Sequence, residues 1–278
     1  MKQDYSHKAK FQNQEYDTFF KENGFAHIPK LLNTEQVETL KQYYEESFNG
    51  IEKGNNLWNS LYQLNCEEGL KLSNKILEVI HPEFLKHFES FSQPSVTFMS
   101  KMPGENTSCE IHRDFTTFDE NESQYINYWI PLVDITEDNG ALFVIPKSHK
   151  LFTDIRPMFL EWPYKVLDEE LSKHIQIVYP KAGDLILYGA CTLHGSLDNL
   201  SENHRPVIHG GILPKEYQIY YFRYLEDRGK VQKYRVTYDF FMKGLFQDEE
   251  ALKNYELIED FFYSPHKITV YDIQTFLS

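Results

Sequence analysis

Cysteine is scarce in this chain of 278 residues. Its three cysteines, Cys66, Cys109 and Cys191, lie far apart, and none belongs to a Cys-x-x-Cys motif. So few thiols, odd in number, argue against a disulfide framework and are typical of a reducing compartment. Cys109 and Cys191 are close in sequence to His112 and His194, but we interpret both as small buried residues beside strands and not as metal ligands.

Long apolar runs and a surplus of positive charge are also missing. No apolar run approaches the roughly 20 residues that span a bilayer, and the polar residues 1–20 lack the apolar segment of a signal peptide. Lys and Arg number 28 against 42 Asp and Glu, which gives a net charge of −14. Binding to nucleic acid or an anionic membrane needs basic patches, so we expect neither partner. We predict a cytoplasmic protein that is a monomer or a homodimer.

Helical periodicity dominates the first third of the chain, residues 1–92, with one early strand near Phe25. Asn33 and Gln36 have the spacing of a capping box, and apolar residues at helical intervals predict a helix over 34–48. This part is expected to form a helical layer that packs on a sheet.

The pattern then changes to short extended runs separated by turn residues. Residues 93–213 predict about eight strands, which favours a mostly β fold with flanking α-helices and a jelly-roll core, the double-stranded β-helix of cupin-like proteins. Residues 147–172 form a long insertion, which we expect to cover a neighbouring region. Residues 214–278 predict a C-terminal extension, with a helix over 248–261, that acts as a lid or an interface. We expect one domain over 1–278.

His112 and Asp114 are separated by one residue in a segment that predicts an extended conformation. Side chains at i and i+2 of a strand face the same way, so these two can meet one metal ion. Together with His194 they make two histidines and one carboxylate, the ligand set of non-haem Fe(II) oxygenases. Taken alone, the His-x-Asp triplet is a weak signal, because such triplets are common at surfaces and caps.

A second cluster runs from His194 to Arg205. Arg205 opens a predicted strand, and its rigid guanidinium suits two-point binding of a carboxylate. Ser196 adds a hydroxyl donor. A metal site beside an arginine that anchors a carboxylate is the arrangement that a chelating 2-oxo acid requires.

Six short motifs follow one another along the chain. They are His-Arg-Asp at 112–114, Tyr-Trp-Ile-Pro-Leu at 128–132, Asp-Asn-Gly-Ala-Leu at 138–142, Ile-Pro-Lys-Ser-His at 145–149, Gly-Asp at 183–184 and His-Gly-Ser-x-x-Asn-x-Ser-x-x-x-Arg at 194–205. In this order they resemble the phytanoyl-CoA dioxygenase family of Fe(II)/2-oxoglutarate-dependent oxygenases, and the resemblance extends over residues 15–213.

The resemblance implies that His112, Asp114 and His194 bind Fe(II). It also implies that Arg205 and Ser196 bind the distal carboxylate of 2-oxoglutarate. The expected reaction is hydroxylation of a small molecule, with O₂ and 2-oxoglutarate as cosubstrates and succinate and CO₂ as products. Related halogenases have a small residue in place of the carboxylate, so the presence of Asp114 favours hydroxylation.

Five further residues are candidates for the substrate pocket. Trp129 matches a family tryptophan beside the active site, and Asn127 shares its strand parity, so both face one way. His209 follows Arg205 by four residues on a predicted strand and can face the same side. The remaining candidates are Lys101 and Tyr188.

Three other polar residues near the motifs are expected to be structural. On a strand, Arg113 points away from the metal side, which favours a structural salt bridge. For His149 and His204 we also expect structural or surface roles.

Two other functions stay open at this point. One is a catalytically silent jelly-roll protein that binds a ligand or a partner, although the complete ligand set and Arg205 argue against it. The other is a zinc or manganese cupin-type isomerase or hydrolase, which would not need Arg205 and Ser196 at this spacing. The identity of the substrate cannot be derived from the sequence.

Overall fold

The computed structural model of the chain describes residues 10–48, 50, 56–94, 96–120 and 125–277. Residues 1–9 of the polar N-terminus lie outside these ranges. Within them, the fold is rich in β-strands with flanking helices, as expected, and its core is a jelly roll of two sheets.

The N-terminal part supplies the helical layer. Its elements are β1 Lys10–Phe11, α1 Gln14–Asn23, β2 Phe25–Ile28, α2 Thr34–Ser47, β3 Leu57–Asn59, α3 Ser60–Gln63 and α4 Cys66–Phe84. Helix α1 ends at Gly24, whose φ of 79° is readily adopted only by glycine. The Asn33–Gln36 capping box at the start of α2 is confirmed, and α2 matches the predicted helix closely.

Helix α4 is longer than its apolar pattern predicts, since that pattern places its start near Ser73 and an interruption at Pro82. It begins instead at Cys66, because the side chain of Asn65 accepts a hydrogen bond from the backbone N–H of Glu68 and caps a polar first turn. Pro82 lies in the last turn, where its missing N–H removes one intrahelical hydrogen bond and the helix ends two residues later. A fully buried apolar face holds this turn in place; it consists of Ile76, Ile80 and Phe84.

The central part forms the jelly roll. Its elements are β4 Phe88–Glu89, β5 Phe91–Ser92, β6 Val96–Lys101, β7 Cys109–His112, β8 Ile126–Pro131, β9 Leu142–Val144, α5 Ser148–Leu151, α6 Asp168–Ser172, β10 Gln176–Val178, β11 Leu185–Gly189, β12 His194–Ser196 and β13 Arg205–Pro214. One sheet has the order β2-β11-β8-β13-β6-β3, with β5 paired to β13, and the other has the order β10-β9-β12-β7.

Strict alternation along the central strands separates two cores. In β8, Ile126, Tyr128 and Ile130 pack toward the N-terminal helices, and they share that core with Ile208 and Ile212 of β13. The intervening residues of these strands face the second sheet instead, so both faces of the larger sheet are buried. The residues on this second face position the site.

The C-terminal part forms a separate antiparallel sheet in the order β14-β15-β16. Its elements are β14 Ile219–Leu225, β15 Lys230–Val236, α7 Tyr238–Met242, α8 Glu249–Leu252, β16 Glu256–Phe262 and α9 Val270–Phe276. The predicted helix over 248–261 is therefore wrong: only the short α8 is helical, and the rest of this segment is mostly strand.

The sequence of β16 explains this error. Its apolar residues are mostly exposed, so their spacing reports no buried helical face. Backbone pairing with β15 and two ion pairs between the strands hold it instead, Lys230 with Asp260 and Arg235 with Glu256. In the part of the chain that the structure describes, no helix is both long and apolar enough to cross a membrane.

Candidate active site

Strands β7 and β12 are neighbours in the smaller sheet and bring the two predicted histidines together. His112 lies directly opposite His194, and their ring centroids are 4.3 Å apart. Strand β7 ends at His112, so Asp114 lies in the following loop and not on the strand as predicted. The loop still directs the Asp114 carboxylate to the same place: one ligand atom from each of the three residues lies within 4.8 Å of the others.

Backbone carbonyls fix the orientation of both imidazoles. Nδ1 of His112 lies 2.8 Å from the carbonyl of Glu110, and Nδ1 of His194 lies 2.9 Å from the carbonyl of Thr192. Because a carbonyl only accepts, Nδ1 carries the proton in each ring and Nε2 is left to bind a metal. Nε2 of His194 lies 3.9 Å from Oδ2 of Asp114. This is the tautomer that a histidine ligand needs.

The pKa values of the two histidines are shifted in opposite directions. Burial and the neighbouring His112 lower the pKa of His194 to about 4, so His194 is neutral at pH 7. Burial would also lower the pKa of His112, but a hydrogen bond with Cys109 and the charges of Cys109 and Asp114 raise it to about 9. Metal binding at His112 therefore displaces a proton near neutral pH. Cys109 is exposed, so its interpretation as a small buried residue is wrong.

Asp114 is held from two sides. The side-chain amide of Asn127 donates to Oδ2 at 2.6 Å, which confirms that Asn127 faces this site. Nε of Arg156 donates to the Asp114 backbone carbonyl at 2.6 Å. Burial alone would raise the pKa of Asp114, but the nearby imidazoles and the bond from Asn127 lower it, so the carboxylate is ionised and ready to bind a cation.

The 147–172 insertion packs against the loop that carries Asp114, on the side away from the metal-binding atoms. Arg113 points away from the metal-facing side, and its guanidinium donates to both carboxylate oxygens of Asp154, at 3.1 and 3.2 Å. The structural salt bridge predicted for Arg113 is thus confirmed. Arg156 forms a second buried pair with Glu120, which also accepts from the thiol of Cys191 at 3.1 Å.

Sequence reasoning missed Glu120, Asp154 and Arg156. Asp154 and Arg156 carry opposite charges only two residues apart, in the run 151–160, whose other residues are apolar except Thr153. That spacing was the one available signal, and it does not identify partners more than 30 residues away. Each of these charged side chains needs a partner of opposite charge, because burying an unpaired charge costs free energy.

Arg205 lies at the start of β13, on the face toward the second sheet, and is 4% exposed. Its guanidinium lies over the ring of Trp129, with 5.0 Å from Cζ to the ring centroid. Nε and Nη1 have no hydrogen-bond partner among the described residues. Buried polar groups are almost always paired, so two unpaired N–H groups on a buried cation indicate a missing anionic ligand.

Lys101 and Ser196 lie at this same end of β13. Lys101 is directly opposite Arg205 in the pairing of β6 with β13. Its ammonium group donates to the Ser196 hydroxyl at 2.7 Å and to the Leu197 carbonyl at 2.6 Å. Lys101, a candidate for the substrate pocket by sequence, therefore lies beside the two residues predicted to hold the distal carboxylate.

The remaining candidates lie near the metal-binding residues. The ring of Tyr188 is 4.4 Å from the ring of His194, and its hydroxyl is 3.2 Å from Nε2 of His209. Burial lowers the pKa of His209, and the Asp114 carboxylate partly offsets this shift, so the two side chains lie near each other. His149 and His204 have structural contacts, with the Lys21 carbonyl and the Tyr44 hydroxyl respectively.

The chain is similar to known proteins over most of its length. The family model of phytanoyl-CoA dioxygenase (PhyH) matches residues 20–207. Human peroxisomal phytanoyl-CoA dioxygenase is 28% identical over 145 residues, which are 46% of this chain and 42% of the human protein. Phytanoyl-CoA dioxygenase 1 of Oryza sativa subsp. japonica is 27% identical over 120 residues, 40% of this chain and 42% of the rice protein. The matches thus span about two fifths of these relatives.

Two solved structures share the fold. SnoK, a non-heme alpha ketoglutarate dependent carbocyclase from nogalamycin biosynthesis, has a TM-score of 0.58 at 17% identity and covers 74% of this chain and 86% of its own. HygX from Streptomyces hygroscopicus, crystallised with nickel, 2-oxoglutarate and hygromycin B, has a TM-score of 0.53 at 14% identity and covers 73% and 87%. At these identities the similarity establishes the jelly-roll fold.

Proposed function

The chain belongs to the phytanoyl-CoA dioxygenase family, and we propose that it is a non-haem Fe(II)/2-oxoglutarate-dependent dioxygenase that hydroxylates a small molecule. One observation supports this function above the others. A three-residue cluster that can hold a metal lies on the same side of the larger sheet as a buried arginine, two of whose N–H groups have no partner among the described residues. A zinc or manganese isomerase or hydrolase has no use for the second feature.

The residues present fit the metal and the cosubstrate. His112, Asp114 and His194 supply two nitrogens and one oxygen and leave coordination positions open, which suits Fe(II). Arg205 and Ser196 supply a cation and a hydroxyl for the distal carboxylate of 2-oxoglutarate. Bound Fe(II) supplies the activation of O₂, in which one oxygen atom enters the substrate C–H bond and the other enters succinate as CO₂ is lost.

The protein's own contribution is orientation and exclusion of water. The carbonyls of Glu110 and Thr192 keep Nε2 of each histidine aimed at the metal position, and Asn127 keeps Asp114 in place. The stacking of Arg205 on Trp129 keeps the guanidinium in one plane before a ligand arrives, which lowers the entropic cost of binding.

The fold relatives support a small-molecule substrate. The structure of HygX contains hygromycin B, and SnoK is described as a carbocyclase. Similar scaffolds thus accept bulky natural products and different oxidation outcomes, and we place hydroxylation first because Asp114 completes the ligand set. A silent ligand-binding protein is the second candidate, but it gives no reason for the ordered imidazole tautomers.

Anaerobic loading tests this function. Purified protein mixed with Fe(II) and 2-oxoglutarate is expected to show a weak visible charge-transfer band, which EDTA removes, and to form succinate and CO₂ once O₂ is admitted. The absence of the band, together with no succinate in the presence of any candidate substrate, would show that the protein is not an oxygenase.

We also propose where the protein is located and how it assembles. A cytoplasmic location is supported by three free cysteines, of which two are exposed. We retain one domain over 1–278 and a monomer or homodimer as predictions.

Lys101 makes cosubstrate binding depend on pH. Burial and the neighbouring charge of Arg205 lower the pKa of Lys101 to about 8. Only the protonated amine attracts an anion, so above pH 8 the ligand-free protein loses this charge and binds 2-oxoglutarate more weakly. We expect Kd for 2-oxoglutarate, measured by calorimetry on Ni(II)-loaded protein, to rise by up to about tenfold per pH unit above 8.

Lys101→Met provides the comparison. It is expected to bind 2-oxoglutarate weakly at pH 7 and to show a nearly flat Kd between pH 7 and 9. An equally steep rise in the variant would assign the pH dependence to another group.

A further inference from the structure

The metal-facing side of β13 runs from Arg205 toward Asp114, whose side chain is 31% exposed, so the site has an opening to solvent there. Arg205, Val207, His209 and Gly211 follow one another at every second position, so their Cα–Cβ directions share one face. Gly211 pairs with Asn127, the residue that donates to Asp114. The space above the metal-binding residues, on the side away from Arg205, is therefore bordered by His209 and Gly211.

An aromatic ring covers this part of the strand. A Cβ added at Gly211 would overlap the ring of Tyr125, so the glycine leaves room for that ring on the metal-facing side. The Tyr125 ring lies nearly parallel to that of Phe118, with centroids 5.4 Å apart and a 10° angle between planes. Burial and the charge of Asp114 raise the pKa of Tyr125 well above its usual range, which keeps its hydroxyl neutral.

Other segments bring more aromatic residues to the same place. Tyr62 belongs to α3, which the Ser60–Thr97 hydrogen bond joins to β6 at the position that pairs with His209, and Tyr238 of α7 packs in the same apolar cluster as Tyr125. Phe115 follows Asp114 directly, is 43% exposed, and stacks on Phe241 at 6.3 Å. Loop, helix and C-terminal extension thus surround the opening with flat, uncharged rings.

One polar pair lies beside the metal ligand His194. The hydroxyl of Tyr188 and the imidazole of His209 are hydrogen-bonded at 3.2 Å, and the ring of Tyr188 is 4.4 Å from that of His194. Among the described residues, no Lys, Arg, Asp or Glu side chain is hydrogen-bonded to this pair. It offers one hydrogen-bond donor or acceptor to a ligand.

The cations of the adjacent C-terminal extension are already neutralised. Most of its Lys and Arg side chains are within ion-pair distance of a carboxylate; the pairs include Arg223–Glu249, Lys233–Asp119, Lys243–Asp239 and Lys253–Glu250. An acyl thioester of coenzyme A carries several phosphate charges and needs unpaired cations near the opening. Paired cations and a net charge of −14 do not suit such a ligand.

We propose that the substrate is an uncharged molecule whose reacting part is a flat, largely apolar ring system, with a hydroxyl or carbonyl group that hydrogen-bonds to the Tyr188–His209 pair. The inference rests on the proposed function, because it assigns a substrate class to the same site. It separates this chain from an acyl-thioester oxygenase by the charge and shape of the opening.

Calorimetry on the full chain loaded with Ni(II) and 2-oxoglutarate tests this with three probes: 2-naphthol, 2-naphthoate and decanoyl-CoA. The neutral ring with a hydroxyl is expected to bind at least about tenfold more tightly than either anion. No binding of 2-naphthol, or equal or tighter binding of an anionic probe, overturns the inference. Failure to take up Ni(II) and 2-oxoglutarate at all overturns the proposed function as well, so the two failures are distinguishable.

Matched variants locate the binding. Phe115→Ala and Tyr62→Ala are each expected to weaken 2-naphthol binding about tenfold through lost ring contacts. Phe276→Ala and Tyr271→Ala are the controls, since Phe276 is 42% exposed against 43% for Phe115, and Tyr271 is 74% exposed against 71% for Tyr62. Equal affinities in all four variants would overturn the inference, because all four side chains are exposed enough for the variants to fold.

Discussion

Replacing Asp114 with alanine is expected to abolish hydroxylation and to weaken Fe(II) binding by more than 100-fold. The carboxylate is the only anionic member of the metal-binding cluster, and its loss leaves two neutral imidazoles to hold a divalent cation. Loss of an outer hydrogen-bond partner alone typically costs about 10- to 100-fold in metal affinity, so loss of the ligand itself should cost more. Calorimetry with Ni(II) or Co(II) measures the binding, and succinate release measures turnover.

Two further variants show whether the effect is specific to loss of the metal ligand. Asn127→Ala removes the 2.6 Å hydrogen bond to Asp114 but keeps the ligand, so an intermediate loss of about 10- to 100-fold is expected. Asp239→Ala breaks only an exposed ion pair with Lys243 and should leave metal binding unchanged. Full turnover by Asp114→Ala would rule out Asp114 as a metal ligand.

The parts of the fold that the sequence predicts well are those with a strong local signal. The capping box of Asn33 and Gln36 satisfies backbone groups within one turn, so its outcome depends on few distant contacts. Strands β8 and β13 of the larger sheet are buried against helices on one face and against the second sheet on the other, so their sequences are short, mostly apolar runs that predict strands. His112 and His194 face each other because β7 pairs with β12.

Prediction fails where distant contacts decide the local structure. Strand β16 is held by pairing with β15, more than 20 residues earlier, and its exposed apolar residues carry no information about that partner. Likewise, nothing in the sequence around Asp114 identifies Arg156, which binds its backbone carbonyl from the insertion. In both cases the deciding contact is long-range and polar, and polar pairs leave no periodic pattern.

The insertion explains how Asp114 can serve as a ligand from a loop. A residue beyond the end of β7 lacks the ladder bonds that orient a strand residue. Arg156 supplies that orientation through its bond to the Asp114 carbonyl. In addition, the Thr116 N–H donates to the Arg156 carbonyl, and the Arg156 N–H donates to the Thr116 hydroxyl. The metal site is therefore built partly by a segment that contributes no ligand.

Replacing Arg205 with methionine is expected to weaken 2-oxoglutarate binding by about 100- to 10,000-fold while leaving metal uptake unchanged. Two charge-assisted hydrogen bonds at about 1.5–3 kcal/mol each account for this loss. Although burial lowers the pKa of Arg205 to about 10, the guanidinium is still charged at pH 7. Calorimetry on Ni(II)-loaded protein measures the affinity, and Arg205→Lys, which keeps the charge but loses the fork, should be intermediate.

The same substitution should not destabilise the ligand-free protein. Nε and Nη1 of Arg205 are buried and have no partner in the described part of the chain, so methionine removes an uncompensated charge. The free energy of unfolding is expected to stay equal or rise by about 1–4 kcal/mol. Arg113→Met is the matched control, because Arg113 is also buried but pairs with Asp154. Its loss leaves that carboxylate buried without a cation, with only the hydroxyls of Tyr164 and Tyr263 as side-chain donors in the described ranges, at a cost of about 3–5 kcal/mol. If Arg205→Met lowered stability as much as Arg113→Met, the role of Arg205 would be structural, and the anchor for 2-oxoglutarate would have to lie elsewhere.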